Sequence, residues 1–174
     1  MDRIEYKGRE YKRYREKWVD ERNLIASEGM QKELNYAFAQ SIDISDMDVS
    51  QIIAHGDKFK RSGAHALAIR FYEKAMDACN RRDMAYILPR VTSCYRAVGR
   101  PQDAIDVLTY AKVNYDESII DVPLLVSAAA AYCDMEEYDK AIQCCNIAYR
   151  KSGGKASEEL KSVYNRISRK NGTR

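Results

Sequence analysis

Stacked pairs of antiparallel α-helices, an all-α helical-repeat fold, are what this 174-residue sequence predicts. Three observations lead there. Helix breakers are few, with eight Gly and three Pro in the whole chain. A pattern of aliphatic, small, aromatic and alanine positions occurs three times. Every copy is interrupted at the same phase by a turn-forming segment.

The pattern is anchored on Phe59, Tyr95 and Tyr132, which lie 36 and then 37 positions apart. Seven residues before each is an aliphatic, Ile52, Leu88 and Leu125, and three before is a small residue, Gly56, Thr92 and Ala129. Nine residues after each comes an alanine, Ala68, Ala104 and Ala141, and seven later another, Ala75, Ala111 and Ala148, with Tyr72, Leu108 and Cys145 between them. Spacings of three, four and seven place each set on one face of a helix. Ser62-Gly63, Gly99-Arg100-Pro101 and Met135-Glu136-Glu137 end the first helix of each pair. Alanines on the second helix let two backbones approach closely.

The flanking elements follow from the same reasoning. Residues 1–45 form an N-terminal extension. Within it, Met30, Leu34, Ala37, Phe38 and Ile42 predict an amphipathic helix over 28–42. Before that helix, Ile4, Tyr6 and Tyr11 around Lys7-Gly8 allow a small β-hairpin, and the same stretch allows a charged helix or an unstructured tail. Trp18, the one tryptophan, is expected to dock this segment onto the repeats. Residues 46–155 hold the three repeats, and Asp46 or Asp48 is expected to cap the first repeat helix. Pro89 is tolerated in a first turn, so the helix carrying it is expected to start near 86–88 or to kink there. After Ser152-Gly153-Gly154, the apolar residues Leu160, Val163, Tyr164 and Ile167 predict a capping helix over 156–169, with Lys161, Arg166 and Arg169 facing water.

These residues resemble the tetratricopeptide repeat. The resemblance covers 49–155 and is strongest from Tyr95 to Ala111 (YRAVGRPQDAIDVLTYA) and from Ala129 to Tyr149 (AAAYCDMEEYDKAIQCCNIAY). The family's period is about 34 residues. The extra residues here are therefore expected between repeats, near 77–84 and 113–121, as longer second helices or longer turns. The resemblance implies a right-handed superhelix whose first helices line a concave groove for another protein, as an extended peptide or a helix. On this sequence that lining is Asp57, Lys60 and Arg61 with Ser50 and Ile53, then Tyr86, Arg90, Ser93 and Arg96 with Pro89 and Ala97, then Val126, Ala130, Cys133 and Asp134 with Pro123. The family's chaperone-binding carboxylate clamp needs Lys and Asn where this chain has Ile53, Asp57, Val126 and Ala130, so that ligand is not expected. The lining is basic in repeats one and two and apolar in repeat three, which suits a partner carrying acidic and apolar residues.

Other chemistry is hard to find. The Gly153-Gly154-Lys155-Ala156 run lacks the Ser or Thr of a phosphate loop, and Gln51 stands where a calcium loop beginning at Asp46 needs Gly. Five cysteines without a Cys-x-x-Cys pair fit neither a disulfide framework nor zinc, and they read as buried hydrophobes. His55, three residues after Ile52, reads as a packed residue. No metal, cofactor or catalytic constellation is expected, and the chain reads as a non-enzymatic module. The N-terminus lacks the apolar run of a secretory signal, and the apolar stretch from Val122 to Cys133 is too short for a membrane span. A cytoplasmic location is the expectation. Net charge is +3, with basic ends around an acidic middle. That leaves nucleic-acid binding as a weaker alternative. A dedicated chaperone is another, because cytoplasmic chaperones of bacterial secretion translocators share the plan of three such repeats behind an N-terminal helix.

Overall fold

The computed structural model describes residues 2–171, with eight helices and three short strands among them. The chain divides into two compact units, one ending at Ala78 and one beginning at Cys79.

The first unit opens with a three-stranded antiparallel meander, β1 (Arg3–Tyr6), β2 (Arg9–Tyr14) and β3 (Lys17–Val19). The hairpin through Lys7-Gly8 forms, with Ile4 opposite Tyr11. Both turn residues have positive φ, 52° and 74°, which matches the twist of a two-residue hairpin. The β2–β3 turn uses Arg15 and Glu16, also at positive φ (44° and 64°). Neither residue is a usual turn former, so the third strand carried no signal in the sequence.

Tyr11, Arg13 and Trp18 share the inner face of the sheet and are buried. They pack onto α1 (Glu28–Ser41), whose Leu34 is fully buried. Trp18 docks on this helix, not directly on a repeat. Its ring meets Phe38 edge-on at 5.3 Å, and its indole N–H donates to Asn35 Oδ1 at 2.8 Å. Gln31 completes the seam, accepting from the Trp18 amide and donating to the Trp18 carbonyl, both at 2.8 Å. Asn35 Oδ1 also accepts from Arg13 Nη2 at 2.7 Å. The Arg13 guanidinium lies over Trp18 at 4.6 Å and over Phe38 and Phe59 at 5.7 Å, and it pairs with Asp2 at 3.4 Å. Burial pushes its pKa down, against the pull of Asp2. Asp2 in turn pairs with Lys58 at 2.9 Å. A buried cation is tolerable only with such a set of partners.

The first repeat is α2 (Val49–Arg61) and α3 (His65–Met76). Asp48 caps α2 in a capping box with Gln51. Phe59, Ala68, Tyr72 and Ala75 are all fully buried where the two helices meet. Gly56 is required at that crossing: a Cβ there would lie 2.7 Å from the Tyr72 ring. His55 is half-buried and stacks on Phe71 at 5.5 Å, and burial lowers its pKa, as a packed residue predicts.

The second unit holds α4 (Arg81–Ala97), α5 (Pro101–Asn114), α6 (Val122–Asp134), α7 (Tyr138–Lys151) and α8 (Glu158–Asn171). Helices α4, α6 and α8 pack side by side in one layer, and α5 and α7 sit in the second layer, against α4 with α6 and α6 with α8 respectively. The aliphatic and alanine stripes read from the sequence lie inside: Leu88, Ala104, Leu108, Ala111, Leu125, Ala141, Cys145 and Ala148 are each at most 2% exposed. Leu160, Val163 and Ile167 of α8 are buried as the capping helix requires.

One turn closes the first helix of all three repeats. The amides of Ala64, Arg100 and Glu137 donate to the carbonyls of Phe59, Tyr95 and Tyr132, each at 2.9 Å. This is a Schellman motif, which needs a left-handed residue at the preceding position. Gly63 and Gly99 supply it (φ 77° and 76°), and in repeat three Glu136 takes it at 61°, at a cost of about 1–2 kcal/mol for a residue with a Cβ.

The extra residues of the long period are used in two ways, neither of them a longer second helix. Between repeats one and two they lengthen α4 at its start. Between repeats two and three they form a loop that buries Ile119 and Ile120. Lys151 Nζ holds that loop by donating to the carbonyls of Glu117 and Ile120, both at 2.9 Å.

Candidate functional site

Helix α4 begins at Arg81, five residues before the start read from Pro89. The missed signal is Asn80, whose side chain accepts from the Asp83 amide at 3.0 Å and caps the helix. Pro89 therefore sits mid-helix and leaves the Ala85 carbonyl without its usual amide. One turn on, Arg90 Nη1 donates to the Tyr86 carbonyl at 2.9 Å, and its guanidinium lies 3.3 Å from the centre of the Tyr86 ring. Met84, Ile87, Leu88, Val91 and Tyr95 face the core. Tyr86, Arg90, Ser93 and Arg96, at spacings of four, three and three, stay outside it. Tyr86 is 42% exposed. Ser93 Oγ donates back to the Arg90 carbonyl at 2.8 Å.

At the other end of α4, Arg96 Nε donates to Asp134 Oδ2 at 2.7 Å. Arg166 Nη2 donates to Asp134 Oδ1, also at 2.7 Å. One carboxylate thus ties α4, α6 and α8. Arg166 was expected only to face water; its side chain is 41% exposed and engaged. Asp121 caps α6 by accepting from the Leu124 amide at 2.8 Å. Burial raises its pKa, against that bond and the charges of Lys151 and Arg90.

The apolar part of the expected lining is not open. Val126, Ala130 and Cys133 are 7%, 5% and 4% exposed. Helix α6 packs against α4, α5, α7 and α8, so little of its circumference is left for solvent. Local spacing identifies the face of α6 that packs within its own pair, but not how many further helices surround it. The remaining expected residues, Asp57, Lys60 and Arg61, lie in the first unit. Asp57 accepts from the Tyr72 hydroxyl at 2.6 Å and so faces its own partner helix. Lys60 is half-buried. Arg61 Nε pairs with Glu16 of the β2–β3 turn at 3.2 Å. The expected residues of the second unit that lie outside its core are thus Tyr86, Arg90, Ser93, Arg96 and Asp134, with Arg166 added.

Elsewhere the chemistry is quiet. Cys94, Cys133, Cys144 and Cys145 are buried, and burial pushes the Cys145 thiol up to about 12, far from a thiolate at neutral pH. Among the described residues, no group of three or more His, Cys, Asp or Glu side chains is placed to hold a metal ion. No described helix is long and apolar enough to cross a membrane. Three basic residues at the N-terminal end are paired within the fold, in Arg3–Glu10, Lys7–Glu33 and Arg13–Asp2.

No protein-family model and no curated protein sequence matches the chain. Among solved structures, the crystal structure of the Sgt2 TPR domain from Aspergillus fumigatus superposes with a TM-score of 0.62 at 18% identity, over 71% of this chain and 79% of that one. The fold is that of a tetratricopeptide domain. Within it, α4 and α6 are the first helices of tetratricopeptide repeats two and three, and α8 stands where the first helix of a fourth would begin.

Proposed function

We propose that the protein is a non-enzymatic protein-binding module, and that a peptide or an amphipathic helix of its partner docks on the first-helix layer of the second unit. The observation that supports this best is the outer face of α4. Its exposed Tyr86 ring is held flat by Arg90, and a rigid aromatic beside a guanidinium is a common anchor of protein interfaces. At α4 the tetratricopeptide fold supports the same reading, because packing within a pair uses only one side of the first helix.

The apolar anchor is Tyr86 in place of the Val126, Ala130 and Cys133 set. The acidic part of the partner meets Arg96 and Arg166. The location proposed is cytoplasmic, in keeping with the free, buried cysteines.

The test is a double variant, Tyr86→Ser with Arg90→Glu, on positions outside the core. Once affinity capture has identified the partner, titration calorimetry is expected to show binding at least about tenfold weaker, or about 1.4 kcal/mol. Circular dichroism should be unchanged. A folded variant that binds its partner as tightly as the parent contradicts the proposed face.

A further inference from the structure

Asp134 ends α6 with both carboxylate oxygens occupied, one by Arg96 and one by Arg166. Each arginine spends one nitrogen on it. A guanidinium carries five N–H donors. The other nitrogens of Arg96 and Arg166 have no partner among the described residues. The three side chains are 25%, 28% and 41% exposed for Arg96, Asp134 and Arg166, so the open donors are within reach of solvent. The count is two cations to one anion. Arg96 is fixed from α4 and Arg166 from α8, with their shared anion between them, so the fork is built before any ligand arrives.

We propose that Arg96 and Arg166 form a subsite for an acidic side chain of a bound peptide, with Asp134 as the internal counter-ion that positions both guanidiniums and opposes the incoming charge. This deepens the reading of the α4/α6/α8 face given above and rests on it. The ligand carboxylate takes the open N–H donors of the two arginines in place of water. Charge-assisted bonds to planar guanidinium are the strong, directional kind. Asp134 keeps the arginines from splaying apart. It also weakens the site, because two carboxylates around one guanidinium pair repel. Affinity is therefore set below its maximum, and the limiting residue is Asp134.

The prediction is an increase in binding. The probes are two labelled amphipathic helical peptides with the same leucine face, one with glutamates and one with glutamines on the opposite face. Fluorescence anisotropy is measured on the full chain. The glutamate peptide is expected to bind the parent more tightly than the glutamine peptide. Asp134→Asn should tighten the glutamate peptide by about fivefold, the scale of one screened like-charge contact near a protein surface, and leave the glutamine peptide unchanged. Arg166→Gln, at the more exposed arginine, should erase the difference between the peptides. Circular dichroism establishes that each variant is folded. If both peptides bind the parent equally and Asp134→Asn changes neither, the subsite is overturned while the docking face stands. If neither peptide binds the parent, both are overturned.

Discussion

Replacing Trp18 with alanine is expected to lower the stability of the protein by about 3–5 kcal/mol, the scale for emptying a fully buried tryptophan site. Trp18 is completely buried, although it comes from a three-residue strand near the chain start. It fills the space between the meander and α1 through Phe38, supplies the ring under Arg13, and donates to Asn35. Small domains have only about 5–15 kcal/mol in total. Equilibrium denaturation followed by circular dichroism should therefore show a large drop in midpoint. A loss below about 1 kcal/mol would mean that the N-terminal sheet is not part of the core of the first unit.

Asn35→Leu is expected to cost about 2–5 kcal/mol although it adds apolar bulk at a buried position. Asn35 is 6% exposed, and its one carbonyl oxygen receives two donors, the Trp18 indole N–H and an Arg13 N–H. Leucine leaves both buried donors unsatisfied. Each such loss costs about 1–3 kcal/mol, more when the group is charged. Asn35→Asp separates this account from simple packing, since a carboxylate keeps the acceptor and adds an opposite charge beside Arg13. The aspartate variant should retain most of the parent's stability in the same denaturation experiment. If leucine is tolerated and aspartate is not, the site is an apolar one and the hydrogen-bond account fails.

The parts of this fold that were legible from the sequence are those governed by local spacing. The alanine stripes, the small residues at Gly56, Thr92 and Ala129, and the aromatics before each turn repeat because every helix pair solves the same packing problem. The turns were legible where glycine marks the left-handed position, at Gly63 and Gly99, and also at Glu136 through register. The third strand was hidden because Arg15 and Glu16 take positive φ without any residue type that favours it. The start of α4 was hidden because Pro89 outweighed the weaker cap signal of Asn80. The apolar part of the expected lining is buried, for a different reason. Which face of α6 is open depends on how many helices surround it, and a stripe of Val126, Ala130 and Cys133 reads the same whether it lines a groove or a core. Arg166 was missed because its partner, Asp134, is on another helix, and pairing between helices leaves no trace in local spacing.

The most direct test of the central claim, that a partner docks on the first-helix layer of the second unit, is site-specific photo-crosslinking. A photoreactive phenylalanine analogue is placed at Tyr86 on α4 or at Val113 on α5, which is 77% exposed in the other layer. Both positions are solvent-accessible, so reactivity differs only by what lies beside each. The partner is expected to crosslink through position 86 and not through position 113, and excess unlabelled partner is expected to compete the product away. Crosslinking through position 113 with none at 86 would contradict that claim and place binding on the second-helix layer.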